Sequence, residues 1–129
     1  MAKLFLATGD AITVSDPLEV FGATGAETLK IAGGATGVEA NANVDRVEFA
    51  GNVADYTFEV QGNQVVVYSG ADIVTTLGVD GDATFAFQDG SAALAIAGLD
   101  DVTLGGTALP TTAGGAAVTP ATFDTADKS

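Results

Sequence analysis

The chain has 129 residues, 17 acidic and four basic, for a net charge of −13, and it contains no Cys, His or Trp. Mean hydropathy is nonetheless positive, at +0.36. Disorder driven by charge is therefore excluded for most of the chain, and one packed domain is expected. The basic residues Lys3, Lys30, Arg46 and Lys128 are scattered, which argues against nucleic acid and anionic membrane surfaces as partners. Without Cys and His there are no disulfides, no thiol nucleophile and none of the usual zinc ligands.

The N-terminal run Leu4-Phe5-Leu6-Ala7 is too short for the apolar core of a signal peptide and reads as a strand. If the protein is exported, no cleaved N-terminal signal is expected. No stretch approaches the ~20 apolar residues of a membrane span, so no membrane insertion is expected. Alternation of apolar and polar residues then marks a series of half-buried strands. Ile12 and Val14 share a face, as do Leu18 and Val20, Leu29 and Ile31, and Val47 and Phe49. The region 37–43 combines Gly37 with two Asn and reads as a loop.

Beyond residue 50 the pattern becomes more regular. Tyr56, Phe58 and Val60 alternate with polar residues, and Gln61-Gly62-Asn63 follows as a hairpin turn before Val65–Tyr68. Val65-Val66-Val67 is apolar on both faces and predicts a strand covered on both sides. Ile73 to Leu77, Phe85 and Phe87, Leu94 and Ile96, and Val102 and Leu104 complete about ten short strands. The turns Asp80-Gly81-Asp82 and Asp89-Gly90-Ser91 make this half an antiparallel meander. The expected core is Ile12, Val20, Leu29, Ile31, Val47, Phe49, Phe58, Val65, Val67, Phe85, Phe87, Leu94 and Ile96. From Pro110 to Ser129 the chain is rich in Thr, Ala and Gly, the composition of a linker. The domain boundaries expected are therefore 1–109 for a β-domain and 110–129 for a low-complexity tail, a secretion signal or assembly arm.

Carboxylates are the abundant reactive groups. A pair can perform acid–base chemistry, but a small β-domain without Trp offers little of the cleft that such chemistry requires, and no enzymatic activity is expected. Calcium is the better use for acidic, Gly-rich turns, because it takes six to eight oxygens in flexible geometry. Candidate ligands are Asp80, Asp82, Asp89, Asp100 and Asp101. Each also fits ordinary turn chemistry.

A unit Gly-x-x-Gly-x-acid occurs at Gly22–Glu27 and again at Gly34–Glu39, twelve residues later. Stacked turns of this kind suggest a rudimentary β-roll in the first third of the chain, and coincidence in a Gly/Ala/Thr-rich sequence is the alternative. Gly22-x-x-Gly25-x-Glu27-x-Leu29, with Gly33-Gly34-Ala35-Thr36-Gly37-Val38-Glu39, resembles a degenerate form of the RTX nonapeptide repeat. The resemblance covers about a fifth of the chain with any specificity, and both copies carry Glu where the repeat has Asp. It implies a type I-secreted bacterial surface-layer or extracellular matrix protein, a calcium-rich exterior, and a loose C-terminal secretion signal with which Phe123–Ser129 is compatible.

The fold expected is an all-β sandwich. The function expected is a secreted, extracellular structural protein that self-assembles head to tail into a filament or surface lattice. The segment 1–14, through Leu4, Phe5, Leu6, Ile12 and Val14, would add to an edge of the next subunit. Calcium would offset repulsion between acidic copies. The alternative is a monomeric adhesive or carbohydrate-binding module with Tyr56 or Tyr68 as an exposed platform.

Overall fold

The structure, a computed structural model, describes residues 2–15, 17–22, 26–41, 44–78, 83–98 and 101–129. The first three pairs of strands wind as a coil. β1 (Ala2–Phe5), β3 (Leu18–Phe21) and β5 (Val38–Ala40) stack in parallel in one sheet, while β2 (Ala11–Val14), β4 (Thr28–Ile31) and β6 (Arg46–Glu48) stack in parallel in the other. Successive in-register partners lie 16 (Ala2 to Leu18), 20 (Glu19 to Glu39), 17 (Ala11 to Thr28) and 18 (Thr28 to Arg46) residues apart. The coil period is thus 16 to 20 residues and not twelve. Glu27 precedes a strand of one sheet, whereas Glu39 lies inside a strand of the other, so the two Gly-x-x-Gly-x-acid units occupy unrelated positions. The rudimentary β-roll exists, but that spacing is not its repeat.

After a 3-10 turn at Val53–Asp55 the chain changes habit. β7 (Thr57–Gln61), β8 (Gln64–Ser69) and β9 (Asp72–Gly78) form an antiparallel meander, and β9 then pairs in parallel with β5. β10 (Ala83–Phe87) crosses to the second sheet, pairs in parallel with β6, and starts a second meander through β11 (Gly90–Gly98), β12 (Asp101–Leu104) and β13 (Thr107–Ala108). The result is an all-β sandwich of two mixed sheets. The six-stranded sheet runs β1-β3-β5-β9-β8-β7 and the seven-stranded sheet runs β13-β12-β11-β10-β6-β4-β2. β5 falls in the stretch expected to be a loop. Val38 and Ala40 point inward there and Glu39 outward, so three residues suffice to carry the ladder from β3 to β9.

Alternation places the apolar ladders between the sheets. Ile12, Leu29, Val47 and Phe85 are consecutive partners in one sheet, and Leu4, Val20, Ala40 and Leu77 in the other. Eleven of the expected core residues are buried, while Ile12 and Ile96 are partly buried against the core. Val65, Val66 and Val67 are all buried. The largest side chains cluster toward the meanders. The rings of Phe49 and Phe87 stack at 5.1 Å, Phe49 meets Phe85 edge-on at 5.1 Å, and Phe58 meets Phe87 edge-on at 6.2 Å.

Residues 110–129 fold back over their own chain. The backbone of Ala116 exchanges two hydrogen bonds with that of Phe58, and Val60 N donates to Pro110 O at 2.8 Å. Asp124 exchanges two with Ser91, and Ser129 N donates to Phe87 O at 3.0 Å. Two glycines make room for this passage. A Cβ at Gly90 would lie 2.6 Å from the Phe123 ring, and one at Gly105 (φ +59°) would lie 2.7 Å from Pro120 Cβ.

Candidate functional site

The two ends of the sandwich differ. At the far end, the edge of β7 is bridged by the tail, and the outward side chain of that strand, Glu59, is buried beneath it. Glu59 Oε1 accepts from Tyr68 Oη at 2.6 Å and from Gly114 N at 3.2 Å, and Oε2 accepts from Gln61 Nε2 at 3.0 Å. These bonds, Tyr68 first, hold the Glu59 carboxyl below the usual carboxylate range and push the Tyr68 phenol up. The end of the tail lies away from that edge, over the middle of the seven-stranded sheet, where Arg46 of β6 clamps it: Nη1 and Nη2 donate to Asp127 at 2.8 and 3.0 Å while Nε donates to Glu48 at 2.7 Å. Ser91 Oγ donates to Asp127 at 2.9 Å. The fork of Arg46, then Ser91, lowers the Asp127 pKa, and the same fork raises that of Arg46. In the other sheet β13 is only two residues long, and Thr107 Oγ1 both donates to Thr119 O and accepts from Ala121 N.

At the near end, β1 and β2 are the terminal strands of their sheets, and among the described residues each has a neighbour on one side only. They are joined by the turn of residues 6–10, where Asp10 Oδ2 accepts from Ala7 N at 2.8 Å. Of the residues expected to serve assembly, Leu6 and Val14 are buried in the core, and Leu4 and Ile12 are partly buried against it. Phe5 is 72% exposed. Its ring stacks on Phe21 at 5.0 Å and 16°, because the two residues are register partners on the outer face of parallel strands.

Beside this aromatic pair, a groove of about 340 Å³ opens at the carboxyl ends of β3, β5 and β9, lined by Glu19, Phe21, Glu39, Asn41, Asn63 and Gln64 among others. Lys3, Glu19 and Glu39 are consecutive register partners across the outer face. Neither glutamate has an ion-pair partner among the described residues. Chemically the groove offers carboxylate acceptors, side-chain amides and an aromatic shelf. The expected platforms are elsewhere: Tyr56 is buried, with its hydroxyl accepting from Gly51 N at 2.9 Å, and Tyr68 is half-buried and bonded to Glu59.

Of the calcium candidates, Asp80, Asp82 and Asp100 lie outside the described residues. Asp89 Oδ1 accepts from Val53 N at 3.1 Å, which ties the 3-10 turn to the β10–β11 hairpin. Asp101 is exposed at the first position of β12. Among the described residues, no group of three or more carboxylates is placed to hold a metal ion.

One recurring feature of the coils is not among those candidates. Asp10, Glu27 and Asp45 each immediately precede a strand of the second sheet, and the residues that follow them pair in register. Glu27 is 1% exposed; its N donates to Asp45 Oδ2 at 3.2 Å, and its carbonyl accepts from Arg46 N at 3.2 Å. Asp10 thus closes its own turn at Ala7 N, and Asp45 links its turn to the corresponding turn of the preceding coil through Glu27 N. The readable trace is the pattern acid-x-apolar-x-apolar at Asp10–Val14, Glu27–Ile31 and Asp45–Phe49. No family model, curated protein or solved structure matches this chain.

Proposed function

We propose that this protein is a secreted structural subunit that self-assembles in an extracellular layer or matrix, with calcium as the assisting ion. The observation that carries the reading is the asymmetry of the sandwich. Among the described residues, the edges of β1 and β2 are left without a neighbour at one end, while at the other the chain covers β7 with its own tail. An uncovered edge presents backbone N–H and C=O groups in the geometry that recruits another strand. A net charge of −13 opposes close approach of copies. Divalent cations shared between the acidic faces of neighbouring subunits relieve that repulsion, because calcium accepts carboxylates in irregular sets.

Electron microscopy of purified protein, with calcium and with excess chelator at low ionic strength, tests this. Ordered assemblies with calcium that disperse in chelator are expected. Dispersed particles in both buffers contradict it.

A second reading, a monomeric binding module, draws on the groove beside Phe5 and Phe21, since aromatic shelves flanked by carboxylates and amides suit hydroxyl-rich ligands such as saccharides. It predicts a monomer in every buffer and saccharide binding that Glu39→Gln weakens.

A further inference from the structure

The open end of the coil stack can be assigned a partner, which rests on and sharpens the proposal of self-assembly. We infer that this end pairs with the same end of a second copy, closing a twofold dimer that forms without calcium, and that any larger assembly is built from such dimers.

Three observations converge. The first is the inventory of edges. Head-to-tail strand addition needs an acceptor edge at the far end. There β7 already holds the Ala116 bridge and the Pro110 bond, and the alternative, β13, is two residues long and tied through Thr107 to the tail. Among the described residues, the terminal strands of four residues without such cover are β1 and β2, and both lie at one end.

The second is charge. In a chain of net charge −13, β1 and β2 together contain one Lys and no carboxylate. Lys3 is the register partner of Glu19, whose next partner is Glu39, so Lys3 offsets one of the two carboxylates on that rung of the outer face. With no carboxylate on either strand, two copies can bring these edges together without setting acid against acid along the paired backbones.

The third is symmetry. A twofold axis perpendicular to β1 sets that strand antiparallel to its copy, a pairing that parallel-stacked coils accept at their last rung without change of face. Because β1 and β2 end their sheets together, one axis extends both sheets and joins the two cores end to end. Phe5, the most exposed large apolar side chain among the described residues, then lies at the seam. An isologous contact of this kind closes and does not propagate.

The experiment is sedimentation equilibrium in chelator over a range of protein concentration. A mass that rises to twice the monomer's and stops there is expected. Phe5→Glu with Thr13→Glu puts like charges on both exposed edges and should raise the dimer dissociation constant at least ~100-fold, with an unchanged β-type circular dichroism spectrum showing that the variant folds. Ile73→Glu removes the other exposed large apolar residue, 44% exposed in β9, and should leave the dimer intact.

A monomer at all concentrations overturns the pairing, as does mass that grows without a plateau, which would indicate head-to-tail addition. So does a dimer lost in Ile73→Glu and kept in the double variant. Calcium-dependent particles in the micrographs are scored separately. A monomer in chelator that still assembles with calcium defeats the dimer alone, and a protein that never assembles defeats the proposed function.

Discussion

The coil end and the meander end of this sandwich are built from different material. Around β1 and β2 the core is aliphatic and thin: Leu4, Leu6, Ile12, Val14 and Val20 meet with no ring among them. Around β7 and β10 it is aromatic, with Phe58, Phe85 and Phe87 fully buried. The coil end has its outermost strands β1 and β2 uncovered among the described residues, whereas at the meander end the tail covers β7 beside the buried carboxylate of Glu59 and then runs back to the arginine fork of Arg46 on β6, in the middle of its sheet. On the proposed reading of self-assembly, the uncovered end is the one that serves as a contact. Parallel coils add rungs easily but have no intrinsic stop. The switch to antiparallel hairpins after Glu48, together with the tail, provides the stop on one side only.

The contrast can be broken most forcefully at Phe58. Truncation to Ala should cost about 3–5 kcal/mol, because a fully buried ring leaves a cavity, and urea denaturation measures it. A loss below about 1 kcal/mol would mean that the meander end is not the stable one. Gly105→Ala comes next. Its Cβ would press on Pro120 in a left-handed backbone, so a loss of about 1–3 kcal/mol is expected, with faster proteolysis near Gly114. An unchanged cleavage rate would show that the tail does not need that approach.

Acid should loosen the same cover. Asp127 and Glu59 both have carboxyls held below their ordinary range. The stability they lend is present above the unfolded carboxylate value of about 4 and is lost as pH falls below it toward the folded values. Proteolysis of the tail should therefore rise below about pH 4. Asp127→Asn should remove part of that pH dependence and, since this carboxylate is 45% exposed, cost no more than about 1 kcal/mol at neutral pH. Equal tail protection at pH 3 and pH 7 would contradict the clamp. The smallest effect is at the open end: Phe5→Ala should change monomer stability by less than about 0.5 kcal/mol, since the side chain it removes is mostly in water.

Much of the architecture is legible because alternation is enforced by burial. Val47, Phe49, Phe58 and Phe85 declare their strands through period two, and Gly62-Asn63 declares the β7–β8 turn. Parallel stacking is harder to read, because its evidence is spacing between strands and not pattern within one. The acid-x-apolar-x-apolar units starting at Asp10, Glu27 and Asp45 carry that spacing, but the more conspicuous glycines at 22, 25, 34 and 37 point to a period of twelve. β5 escapes notice because three residues are too few to alternate visibly. The path of the tail is set by long-range contacts, Ala116 to Phe58 and Asp127 to Arg46, and composition carries no trace of such partners. The groove escapes for the same reason: Glu19, Glu39 and Gln64 converge through register alone.

Amide hydrogen exchange at two protein concentrations, in chelator, tests the central asymmetry most directly. Amides of β1 and β2 should exchange quickly when dilute and gain protection when concentrated, while those of β7 and its tail bridge at Ala116 stay protected throughout. Protection at β1 and β2 that ignores concentration, or a concentration-dependent change at β7 instead, would contradict the assignment of one open end and one covered end.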